Sequence, residues 1–281
     1  MTQIDWHSGF SGGLRLSFRE YKYDLSIERE HYITDEPTRM DHLIIKKNKN
    51  VIVDNSIGRA FRGHNIIEYK NPNAALNIDV VWKTIGYAGL YKGYGKTVND
   101  IPAKELTVTI LRSAKPVKLF RDLKSEGYTV SETASGVYLL SGFIDMPIQV
   151  VVMKELKDIV FLPLRIMVPN ADEGDIRAFI TEALTFGTPE DLNNARAVLN
   201  ISSESNEQTF KQIRRDDAMG DAMRRIMKDD IEKAEQETTV NHLKDIMTKL
   251  KYTVDQAMDL LNIPSDQRAT YTNLVNAKAS R

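Results

Sequence analysis

The 281-residue chain contains no cysteine. That excludes disulfides and zinc sites built on thiolates. It has no apolar run long enough to span a bilayer. The opening "MTQIDWHSGFSGG" has no apolar leader core. The expectation is therefore a cytoplasmic protein with no secretory signal and no membrane partner. Low-complexity tracts and internal repeats are lacking as well. A dominant charge is missing too: 38 Lys+Arg stand against 39 Asp+Glu, for a net charge of −1. Such a balance argues against a surface that is nucleic-acid-binding all over.

The charge that is present is distributed unevenly. Residues 1–160 carry 22 Lys+Arg and 19 Asp+Glu, and residues 161–281 carry 16 and 20. A slightly basic first part suits a local phosphate-binding cleft better than a broad basic footprint. With 42% hydrophobic residues, the length supports one large domain or two modest ones.

Hydrophobic periodicity gives the element order. Leu14, Phe18, Tyr21 and Leu25 fall at helical spacing, which predicts an amphipathic helix over 10–25. Strands are predicted over 25–33, 40–47 and 64–70, the last stopped by Pro72. A helix over 78–95, a β-branched strand over 105–114 and a short helix ending at Gly127 follow. "GVYLLSGF" and "MPIQVVVMKEL" supply two more strands. From Asp172 onward the pattern turns helical, with a long run over 206–250 and a last capped helix in "TVDQAMDLLNIP". The predicted division is a strand-rich core over 1–165 and a helical region over 166–281.

The segment "HNIIEYKNP" carries the chemistry. On a strand, Ile66, Glu68 and Lys70 share one face, and Ile67 and Tyr69 the other. Opposite charges on an apolar strand are costly to bury without a reason. A divalent cation held by the carboxylate, with the lysine beside an attacking water or phosphate, supplies one. Asp41 opens the preceding strand, so neighbouring strands would let Asp41 and Glu68 share that cation. Hard oxygen ligands suit Mg²⁺ or Mn²⁺. The plain alternative is an ion pair on a solvated sheet edge, which needs no function.

The residues "MDHLIIKK … IGRAFRGHNIIEYKNPNAALNIDVVWKTIGYAGLYK" resemble the PD-(D/E)XK nuclease superfamily, and more narrowly its bacterial transposase-like members. The likeness covers roughly 10–160 best. It implies an α/β fold, an α+β mixed-sheet restriction-endonuclease-like core, followed by an all-helical C-terminal region. It implies Asp41, Glu68 and Lys70 as the catalytic set, Mg²⁺ or Mn²⁺ as cofactor and DNA as substrate. The superfamily often has a further glutamate on the first helix. Here that position is Ser17, with Glu20 a turn further on as a weaker candidate metal ligand. Lys46, Lys47, Arg59, Arg62, His64 and Lys92 are candidate phosphate contacts.

The function expected is a metal-dependent DNA endonuclease of DNA processing or transposition. Two other classes stay open: a binding or scaffolding protein that has kept the fold without catalysis, and an interaction protein working through its helical half. The helical tail is also a candidate homodimer surface, through the methionines of 219–227.

Overall fold

The computed structural model describes residues 6–28, 43–70 and 74–277. Among the described residues, seven strands form one mixed sheet: β1 (Leu25–Glu28), β2 (Leu43–Lys47), β3 (His64–Lys70), β4 (Leu106–Arg112), β5 (Thr129–Ala134), β6 (Val137–Ser141) and β7 (Ile148–Val152). Their spatial order is β1-β2-β3-β4-β7-β6-β5. β1, β2 and β3 pair antiparallel, whereas β3, β4 and β7 run parallel through the centre. With α1 (Trp6–Ser17) in front and α2 (Ile78–Gly93) between β3 and β4, the order is helix, three strands, helix, strand. The chain is thus an α/β core followed by helices. Among the described residues, no helix is long and apolar enough to cross a membrane.

The central strands are apolar on both faces because helices cover both. On one face Ile66, Val108, Ile110 and Val150 pack against Val81, Ile85 and Ala88 of α2. Leu119, Phe120 and Leu123 of α3 (Val117–Ser125) join the same cluster. On the other face lie Ile45, Ile67, Leu111 and Val151, each 1% exposed or less. Here α1 crosses the sheet: Phe10 stacks on Tyr69 at 4.6 Å, and Phe18 on Phe61 at 5.4 Å. Since Tyr69 lies near the end of β3 and Phe61 precedes it, α1 runs antiparallel to β3.

Helices α4 (Leu162–Ile166), α5 (Glu173–Ala183), α6 (Pro189–Ser205) and α7 (Glu207–Ile213) belong to the same compact unit, Met1–Ala222. Glycine in a helix costs about 1 kcal/mol against alanine, yet α1 has three. Two let α6 approach: a Cβ on Gly9 would meet Ile201 Cγ1 at 2.1 Å, and one on Gly12 the Asn194 carbonyl at 2.9 Å. The last strand ends at Val152, but the first unit continues to Ala222, because α1 is packed from outside by α6.

The second unit, Met223–Arg281, is helical. α8 (Asp217–Ile226) leads into it, followed by α9 (Lys228–Leu250), α10 (Val254–Leu260) and α11 (Arg268–Ala277). Its core is Val240, Leu243, Ala257, Met258, Tyr271 and Val275. The predicted run over 206–250 is three helices. "TVDQAMDLLNIP" forms α10 as expected, but it is followed by α11 and is not the last helix.

Candidate functional site

β3 is an interior strand, and β4 runs beside it all the way to Lys70. Glu68 lies opposite Ile110 and Lys70 opposite Arg112 on β4. In parallel strands such partners share a face. Glu68, Lys70 and Arg112 therefore all look to the α2 side. The Lys70 amine sits 2.5 Å from Glu68 Oε1, the two side chains being 20% and 10% exposed. A pair this deep is not the solvated edge pair of the plain reading. At the other end of α2, Tyr91 meets His64 at the start of β3, its hydroxyl 2.8 Å from Nδ1. The amino end of α2, capped by the Asn77 side chain accepting from the Val80 amide, therefore lies at the Glu68 end. A helix amino terminus favours negative charge nearby.

Past the end of β4, the Lys115 amine donates to the Tyr138 hydroxyl (2.6 Å), which donates to Glu155 Oε2 (2.5 Å). Burial first, and Glu155 second, push the Tyr138 phenol well above its ordinary pKa. It therefore stays a neutral donor. Arg112 stands between this trio and Lys70. Its Nε is sealed from solvent and bonds nothing among the described residues. Burial pulls its pKa down.

Asp41 lies outside the described residues. The described part of β2 begins at Leu43, aligned with Ile67 of β3. Glu20 lies in the 3₁₀ turn Arg19–Tyr21 after α1. Because Phe18 packs on Phe61 and Phe10 on Tyr69, Glu20 is at the opposite end of β3 from Glu68 and beside the opposite face. The structure does not bring the two together. Ser17 is buried at that same remote end, its Oγ without a hydrogen-bond partner among the described residues.

The candidate phosphate contacts also gather at the remote end. Lys46 faces His64 across the β2–β3 ladder. The Lys47 amine donates to the Val51 carbonyl, and an Arg62 nitrogen to the Lys104 carbonyl. Arg59 pairs with Asp54 at 2.9 Å, both exposed. Lys92, next to Tyr91, reaches Asn99 Oδ1 at 3.2 Å. Six residues of strand, about 20 Å, separate His64 from Lys70.

Compared with protein-family models, curated proteins and solved structures, the chain matches none. The site must be judged on its own chemistry. The Glu68 carboxylate offers the hard oxygen that Mg²⁺ or Mn²⁺ prefers, and Mg²⁺ uses only one or two carboxylates beside water and phosphate. Among the described residues, Glu68 is one donor that such an ion could take, and it is paired with Lys70. Sequence reasoning missed Arg112. The signal was the one charged residue closing the apolar run "LTVTIL", in register with Lys70.

Proposed function

We propose that this chain is a divalent-metal-dependent nuclease hydrolysing DNA phosphodiester bonds, with Asp41, Glu68 and Lys70 as its working residues. The observation that carries this is the Glu68–Lys70 pair, 2.5 Å apart on one face at the carboxyl edge of the central parallel strands. Open α/β sheets bind ligands at that edge. The element order of helix, three strands, helix and strand supports the resemblance to the PD-(D/E)XK core.

Glu68 and Asp41 would hold the ion. When bound, it would polarise the phosphate and lower the pKa of a water. Lys70 does the rest from its present position. Its ammonium reaches a water or a phosphate oxygen beside Glu68, orienting the first or neutralising charge that builds on the second. The half-buried setting strengthens both effects by limiting solvent screening.

The test is plasmid nicking with Mg²⁺ or Mn²⁺. The wild type should nick, and Glu68→Ala and Lys70→Ala should each lose at least about a hundredfold, as groups acting on the transition state do. Equal activity in all three would assign the nicking to another site or a contaminant.

A further inference from the structure

Arg112 is a half-buried arginine with no ion pair among the described residues. Its Nε is closed off from water and has no hydrogen-bond partner among the described residues. A desolvated guanidinium without acceptors is costly, more so than an unmet neutral donor. Folds retain such groups where function uses them. The neighbourhood does not relieve the cost. Lys70, one strand away and on the same face, is another cation. Lys115 is occupied by Tyr138 and Glu155. The described carboxylate nearest in the ladder, Glu68, is engaged by Lys70. Lys70 and Arg112, in register on adjacent strands, bring two cations to the edge that also holds Glu68. The planar fork of arginine matches two oxygens of a phosphate.

We propose that Arg112 is the phosphate anchor of this site, gripping the non-reacting oxygens of the phosphodiester that Glu68 and Lys70 flank. This rests on the nuclease reading for the identity of the phosphate as nucleic-acid backbone. It adds a residue that neither the E-x-K pattern nor Asp41 implies. The anchor binds and orients without taking a proton. Its unmet donors would be satisfied in the complex, so the cost to the free fold becomes selectivity for a tetrahedral anion over a neutral ligand.

The experiment compares wild type, Arg112→Met and Arg112→Lys as full chains in EDTA. Affinity for a short fluorescein-labelled DNA duplex is read by anisotropy across a salt series, and thermal midpoints are read with and without inorganic phosphate. The methionine variant should bind the duplex about tenfold more weakly. Its slope of log affinity against log salt should be shallower by about one contact. Its own melting point should be unchanged or higher. The lysine variant should recover part of the affinity. Unchanged duplex binding in the methionine variant overturns the anchor, even if the wild type nicks plasmid with Mg²⁺, in which case the nuclease reading survives alone. A lowered melting point with unchanged binding assigns Arg112 a structural role and also overturns it. If the wild type neither binds nor nicks DNA, but inorganic phosphate raises its melting point and the methionine variant loses that response, the anchor stands for a small phosphate and the nuclease reading fails. No response of the wild type to either probe overturns both.

Discussion

Gly136, in the turn between β5 and β6, has φ of +78°, where a side chain is strained. Space is closed as well: a Cβ there would meet the Val152 carbonyl at 2.8 Å and the Leu156 nitrogen at 2.9 Å. The Gly136 carbonyl also accepts from the Val152 amide at 2.7 Å. Gly136→Ala should therefore destabilise the first unit by about 2–4 kcal/mol, measured by urea unfolding followed by circular dichroism. A change under about 0.5 kcal/mol would mean that the turn relaxes freely. Single residues differed in how well the sequence revealed them. The Glu68–Lys70 pairing was legible because a period of two fixes which side chains share a face. Arg112 was not, because its role depends on the alignment of β4 with β3, 42 residues away in sequence. The remote position of Glu20 was hidden for the same reason. Helical spacing says which face of α1 is apolar, but not in which direction the helix crosses the sheet.

At the scale of elements, β3 runs over 64–70 and α2 starts at Ile78, as their apolar patterns and caps predict. β5 went unseen. "TVSETA" is polar and mostly exposed, an edge strand whose pairing comes from β6 rather than from its own hydrophobicity. The long helix over 206–250 failed at Asp216. That carboxylate accepts from the Met219 amide (3.2 Å) and from Arg177 (2.9 Å), starting a new helix. The same two partners, the backbone amide first, hold its pKa below the ordinary value. A tertiary tether to α5 is not visible in local propensity. Where the local signal is complete, it is borne out: Thr253 and Gln256 form a reciprocal capping box at α10. Thr253→Ala should cost about 1 kcal/mol, read as a lower denaturation midpoint of the isolated second-unit transition or of the whole chain. An unchanged midpoint would show that the box is redundant.

For the whole molecule, the sequence boundary near 165 marks a change of secondary structure, whereas compactness divides the chain at Ala222 and Met223. The helices between them hold buried side chains, Phe179, Ile180, Val198 and Leu199 among them. A chain stopped after Ala222 should remain soluble and melt cooperatively. One stopped after Arg165 should aggregate, because it loses the helices that cover α1 and the second face of the sheet. Size-exclusion chromatography and thermal circular dichroism distinguish the two. Equal behaviour of the two truncations would place the folding boundary at the end of the sheet.

The Glu68–Lys70 pair has one more effect on the molecule as a whole. A carboxylate only 8% exposed would normally oppose folding until a cation arrived, as in domains that remain unfolded without their metal. Here a lysine two residues away supplies the counter-charge. The chain carries its own provisional counterion, so its architecture can be complete before any ion binds. Chelation should therefore leave the folded protein intact, read as an unchanged melting point in EDTA.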